Sequence, residues 1–158
     1  MMTQQEEEFV HLVSCIQNLN NAWLILQEIR HHTESPRLVN AAFQFALIEY
    51  AKPYTTSRGT VQNHRLDEKY IPAEHLELHA RILQARHQIH AHSDLTVMDA
   101  KLYVTDTPNG KIAGHSQNII HGTEEMRNLD SIIDLIEQTL DSMYEEEKRL
   151  EQRLPANA

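Results

Sequence analysis

The sequence predicts an all-α fold, an antiparallel bundle of about four main helices with one β-hairpin inserted before the last helix. Apolar residues recur at three- and four-residue steps over several long stretches without Gly or Pro, which is typical of helices packed on one face. One later stretch instead alternates and ends in a turn signal, which indicates a hairpin. The length of 158 residues suits one domain. We expect this domain to span residues 1–154, followed by a disordered tail over 155–158.

The first two helices are predicted over residues 5–31 and 36–51. Ser35 suits the N-cap of the second helix and Pro36 its first position, and Pro53 ends it. The first helix is defined by apolar residues at helical spacing, which are Phe9, Leu12, Val13, Ile16, Leu19, Trp23, Leu26 and Ile29.

The connection that follows, residues 54–73, has little periodicity and is predicted to hold one short helical turn near residues 66–70. Long connections inside compact domains are often functional. Arg58 in this connection, with Lys52 and Tyr54 at the end of the second helix, is a candidate for binding phosphate along a groove. The alternative is a solvated loop beside a helix end packed by tyrosines.

A third helix is predicted to open at residues 72–74 and to run to about His92. Apolar residues are spread around it, so we expect most of this helix to be buried and its polar side chains to need partners. Thr123 is the predicted cap of the last helix, with Glu124 and Glu125 at the positive end of its dipole. The apolar seam of that helix is Leu129, Ile133, Ile136, Leu140 and Met143.

The hairpin is predicted between these two helices. Residues 100–105 alternate and are rich in strand formers, and residues 107–110, Thr-Pro-Asn-Gly, are a strong turn signal. The return strand is weaker, over 111–114 and 118–120. We expect the hairpin to flank the end of the third helix.

The charge of the chain restricts how it binds nucleic acid. The net charge of −9, counted with neutral histidines, is unlike the basic profile of most nucleic-acid-binding domains. Much of the acid lies in residues 6–8 and 145–147, which we interpret as solvated helix ends. This leaves room for a local basic site elsewhere.

We expect a cytoplasmic protein that does not bind a membrane. No apolar run approaches about 18 residues, and the acidic N-terminus lacks the basic start and apolar core of a secretory signal. Cys15 is the single cysteine, which excludes an internal disulfide. Its apolar neighbours indicate a core position.

The densest group of chemically active residues is the stretch 81–94, RILQARHQIHAHSD. On a helix, His79, Arg86 and His90 share one stripe, because steps of seven and four residues return to the same face. His92 lies about 9 Å along the axis from Arg86 and roughly 120° around it. This spacing lets Arg86 bind an anion while His92 acts from the helix end.

This arrangement resembles the signature of the HEPN superfamily, which is an Arg, commonly a polar residue next, and a His four to six positions after the Arg. Arg86, His87 and His92 match these positions, and the ending Ala91-His92-Ser93-Asp94 is similar to the abortive-infection and toxin-type branch. The resemblance implies a HEPN-like bundle that forms a homodimer and often acts as a metal-independent endoribonuclease without a cofactor. It also implies that the dimer places two Arg–His pairs in one cleft.

Metal-free RNA cleavage needs a base for the 2′-hydroxyl and an acid for the leaving 5′-oxygen, and a histidine can be either near neutral pH. A guanidinium stabilises the extra negative charge of the transition state. Arg86 and His92 are therefore the predicted catalytic residues. His87, His90 and Asp94 are supporting candidates that orient or replace them. The expected partners are RNA, a second copy of the chain and, for a toxin-type protein, an antitoxin or other partner protein.

Three alternatives stay open. In the first, Arg86 and its neighbouring histidines form a buried cluster that holds the dimer together. In the second, His75 and His79, spaced i, i+4, join the later histidines around a metal ion, although the sequence has neither an HExxH motif nor a cysteine pair. In the third, the protein is a non-catalytic HEPN-like module for binding RNA or nucleotide, or for dimerisation. The acidic net charge favours this third interpretation.

Overall fold

The fold is known from a computed structural model, which describes residues 2–32, 35–90, 99–117 and 123–155. Within these ranges it has four α-helices, α1 (Gln4–His31), α2 (Pro36–Ala51), α3 (Leu76–His90) and α4 (Leu129–Glu151). Two antiparallel hairpins accompany them, β1 (Ser57–Arg58) with β2 (Asn63–His64) and β3 (Lys101–Thr107) with β4 (Gly110–Ser116). The mostly helical fold is confirmed, and the first hairpin is an addition that the sequence did not predict.

The core lies between the four helices, with α1 packed against α2 and α4, and α2 packed against α3. The predicted seam of α4 is confirmed by four buried residues, Ile133, Ile136, Leu140 and Met143. The seam is wider than expected, because Ile132 and Leu135 are buried as well. A helix inside a bundle needs such a broad apolar stripe to cover its neighbours.

The third helix is less buried than its composition suggests. Leu78, Ile82 and Ala85 face the core, whereas Leu76 and Ala80 are exposed. The prediction that most of α3 is buried is therefore wrong. Since α2 is the α-helix it packs against most extensively, the opposite side of α3 stays in solvent.

The helices begin and end close to the predicted residues, but two of the predicted side-chain caps are not formed. Pro36 opens α2 as expected, but the Ser35 side chain makes no capping hydrogen bond. Thr123 makes none either; it precedes a 3-10 segment, Glu124–Asn128, and the residue at the N-cap of α4 is Asn128. The start of α1 is capped by side chains, because Thr3 and Glu6 form a capping box there.

The connection after α2 is held against α1 by Glu7. The Glu7 carboxylate accepts hydrogen bonds from the Val61 backbone N–H at 2.7 Å and from Thr60 Oγ1 at 3.1 Å, and lies 3.2 Å from His64 Nε2. Burial opposes ionisation of this carboxyl, but the hydrogen bonds outweigh it and lower the pKa. The interpretation of residues 6–8 as fully solvated is wrong for Glu7, which is 6% exposed.

Elsewhere in the connection, a 3-10 turn at Glu68–Tyr70 confirms the predicted helical turn. A second 3-10 segment, Ala73–His75, leads directly into α3. The β3–β4 hairpin has a regular register from Lys101 opposite Ser116 to Thr107 opposite Gly110. The second part of the predicted return strand, 118–120, and tail residues 156–158 lie outside the described residues. No helix in the described ranges is long and apolar enough to cross a bilayer.

Candidate functional site

A cavity of about 310 Å³ lies where α1, the end of α2 and α3 meet. From α1 come three side chains on one face, His11, Cys15 and Asn18. The segment after α2 adds Lys52, Pro53 and the hydroxyl-bearing residues 55–57, and α3 adds Arg86. The cavity therefore combines two cationic side chains with several hydrogen-bonding groups, which suits an anionic ligand.

Arg86 is the most informative residue of this cavity. Its side chain is partly buried, and its Nε atom is buried without a hydrogen-bond partner among the described residues. A buried donor left without a partner costs about 1–3 kcal/mol, and more when it is charged. An anion in the cavity would supply the missing acceptor.

Lys52 is fixed at the cavity by Glu49. Its ammonium group forms an ion pair with the Glu49 carboxylate, which is 2% exposed and also accepts hydrogen bonds from Asn18 at 3.1 Å and Asn21 at 3.5 Å. Burial opposes ionisation of Glu49, but these hydrogen bonds and the Lys52 charge lower its pKa. Glu49 thus orients Lys52 and balances part of its charge.

His11 is a cavity residue that the sequence analysis did not single out. Its Nε2 lies 3.5 Å from Cys15 Sγ, and its ring stacks on His64 with 4.9 Å between centroids. Burial and then the neighbouring His64 lower the pKa of His11, which favours the neutral imidazole. Burial raises the pKa of the Cys15 thiol to about 12, so this group stays protonated. The spacing of His11, Cys15 and Asn18 places them on one helix face and was the sequence signal for this cavity. It was missed because the apolar residues of α1 follow the same helical period.

The predicted site residues have different locations. Arg86 and Lys52 both line the cavity, whereas Arg58 and His87 are exposed outside it. Tyr54 does not form a groove wall, because its ring is 5% exposed and packs edge-on against His79 at 4.5 Å. His92 and Asp94 lie outside the described residues, as does the side chain of His90.

The histidines proposed as metal ligands have separate partners. His75 lies 2.8 Å from an Asp134 carboxylate oxygen, and His79 lies 2.8 Å from the Tyr50 hydroxyl in the core. In the described part of the chain, no group of three or more His, Cys, Asp or Glu side chains is arranged to hold a metal ion.

Comparison with known proteins does not assign a function to this cavity. The chain matches no family model, no curated protein and no solved structure. The resemblance to the HEPN superfamily thus rests on Arg86, His87, His92 and the ending at residues 91–94, and it stays a prediction.

Proposed function

We propose that the protein is a HEPN-like, metal-independent endoribonuclease of toxin or phage-defence type, and that the cavity around Arg86 takes the scissile phosphodiester. The observation that carries this proposal is the buried Nε of Arg86, which has no hydrogen-bond partner among the described residues, in a cavity shared with Lys52. A guanidinium offers paired donors that match two phosphate oxygens. The Thr56 hydroxyl adds a neutral donor, whereas the Thr55 and Ser57 hydroxyls already donate to the backbone oxygens of Ala51 and His64.

The proposed reaction is an attack within the RNA itself. An imidazole accepts the 2′-hydroxyl proton, the 2′-oxygen bonds to phosphorus, and the bond from phosphorus to the 5′-oxygen breaks. A general acid gives that oxygen a proton, which leaves a 2′,3′-cyclic phosphate and a 5′-hydroxyl. Arg86 stabilises the charge that develops on the phosphate oxygens. His92 is the proton carrier expected from the family resemblance, and the neutral His11 offers a base from the same chain.

The size of the cavity favours single-stranded RNA as the substrate. Its volume of about 310 Å³ is at the lower end of small-molecule sites, which suits one phosphate with its ribose rather than a duplex. Cleavage of flexible single strands also avoids the cost of opening base pairs.

A second candidate function is a module that binds a phosphate group of RNA or nucleotide without cleaving it. The ion pair between Lys52 and Glu49 favours this function, because it removes part of the positive charge from the cavity. The net charge of −9 also weakens long-range attraction to RNA.

The test is cleavage of single-stranded RNA in EDTA by the wild type, by Arg86→Ala and by Arg149→Ala as an exposed control on α4. We expect cyclic-phosphate products from the wild type and the control, and a rate about 10² to 10³ lower for Arg86→Ala. Melting curves of all three proteins must agree, so that the loss is chemical. An inactive wild type that binds RNA through Arg86 would instead support the binding module, and an active, folded Arg86→Ala would refute both.

A further inference from the structure

The β3–β4 hairpin exposes large apolar side chains on both of its faces. The exposed fractions are 72% for Leu102, 56% for Tyr103, 56% for Val104 and 63% for Ile112. Its strands pair with each other, and no described helix packs extensively against them. An isolated two-stranded hairpin is at best marginally stable in water. Additional strands would stabilise it and give its apolar side chains neighbours on the same face.

The outer edge of β3 is suited to accept another strand. A two-residue loop closes the hairpin on the pair Thr107 and Gly110, and hydrogen-bonded pairs then recur at every second residue of the ladder. Leu102 and Val104 fall between those pairs, so their backbone N–H and C=O groups are directed away from β4. No other described strand pairs with this edge, and an unpaired edge is a template for strand addition.

We propose that β3 pairs antiparallel with β3 of a second copy of this chain, so that two hairpins form one four-stranded sheet with a two-fold axis at Tyr103. In this register Leu102 lies opposite Val104 of the partner subunit, and each contributes its outward backbone groups to the new ladder. Leu102 and Val104 of both copies then form one apolar stripe on the same face. The two Tyr103 rings meet on the other face, where aromatic pairs are favourable.

Charge favours a second copy in this register. Lys101 lies opposite Thr105 of the partner subunit and Asp106 opposite its Ala100, so no like charges face each other. A register centred on Val104 would instead place Leu102 against Asp106. Two copies of a chain with net charge −9 repel each other. Residues 101–116 carry two lysines and one aspartate, so two hairpins can approach each other without the repulsion between acidic surfaces.

This interface is separate from the contact between motif helices that the HEPN resemblance implies, and it does not depend on ribonuclease activity. Seven-residue strands are about 24 Å long. A single strand pair buries less than the roughly 1,200 Å² of a standard stable interface. We therefore expect a reversible dimer that dissociates on dilution.

The first experiment measures molar mass by light scattering over a concentration series of the full chain. Leu102→Lys is compared with Leu38→Lys, because Leu38 on α2 is 71% exposed and thus matches Leu102 in type and exposure. We expect the molar mass of the wild type and of Leu38→Lys to rise with concentration and that of Leu102→Lys to stay constant, at the monomer or, where the motif helices also pair, at their dimer. A wild type whose molar mass does not rise with concentration, or a Leu102→Lys variant whose molar mass rises as that of the wild type does, overturns the proposal.

The second experiment tests the register by disulfide formation. Two Tyr103 Cα atoms in a non-hydrogen-bonded pair would lie about 4.5 Å apart, within the range of about 4.4–6.8 Å that disulfides accept. Tyr103→Cys should therefore form a covalent dimer under mild oxidation. Ile112→Cys should not, because three strand spacings across the sheet and an offset of four residues along it place the two copies of residue 112 about 20 Å apart. Cross-linking of both variants to the same extent, or of neither, refutes this register.

Discussion

The Tyr50 hydroxyl lies 2.8 Å from Nδ1 of His79, and both side chains are buried in the core. Burial raises the pKa of Tyr50 well above its usual value, so the phenol is the donor. Burial lowers the pKa of His79 although the nearby Glu68 carboxylate opposes this effect. The neutral imidazole is therefore the acceptor, and Tyr54 packs edge-on against the same ring at 4.5 Å.

This pair makes the stability of the fold depend on pH. His79 takes up a proton less readily in the folded chain than its ordinary pKa of 6.5, so the unfolded chain binds the proton first as pH falls. The contribution of the neutral His79 to the free energy of unfolding is fully present above pH 6.5 and is lost as the pH falls below that value. We expect the free energy of unfolding of His79→Phe, measured with urea, to fall less than that of the wild type as the pH drops below 6.5. His115→Gln, in the exposed hairpin, is the control and should retain the wild-type loss.

Gly59 should be required for the contact between Glu7 and the connection after α2. A methyl group at this position would overlap Glu7 Oε1 and the backbone oxygen of Gln62. We expect Gly59→Ala to lower the free energy of unfolding by more than about 1 kcal/mol. Gly114→Ala is the matched control, since that position is open, and should change the free energy by no more than about 0.5 kcal/mol. Equal urea midpoints for the two variants would contradict this account.

His11 should control the pH dependence of cleavage if it is the base in the Arg86 cavity. A base must be unprotonated, so kcat/KM should fall as pH drops through the lowered His11 pKa, which lies below 6.5. His11→Gln should lose about 10² to 10⁴ in rate together with this limb of the profile. An unchanged acidic limb in a folded His11→Gln would assign it to another group, such as His92.

The two sides of α3 should respond differently to truncation. Ile82 is fully buried, so Ile82→Ala should lower the free energy of unfolding by about 2–5 kcal/mol. Leu76 is 42% exposed, about 120° around the helix from Ile82, and Leu76→Ala should cost about 0.5 kcal/mol or less. Urea denaturation of both variants measures the difference, and similar losses would mean that α3 is buried all round.

Local sequence was sufficient to predict the helices and the position of the exposed hairpin. The apolar repeat predicted the first helix over 5–31, and α1 spans Gln4–His31. Pro53 predicted the end of α2 at Ala51, and the Thr-Pro-Asn-Gly turn predicted the point where β3 meets β4. These features depend on residues within a few positions of one another, where backbone propensity and side-chain periodicity act directly.

Tertiary structure alone decided which polar residues are buried and which of them meet. Glu7 resembles its solvated neighbours in sequence, but the connection more than fifty residues later supplies donors that bury it. Sequence singled out Arg86 and Lys52 separately, whereas packing of α1, α2 and α3 placed them in one cavity and added His11. The same packing buries Tyr54 in the core, whereas the sequence predicted that it would line a groove. The burial of a polar group depends on partners that are distant in the chain, and periodicity within one helix carries no information about them.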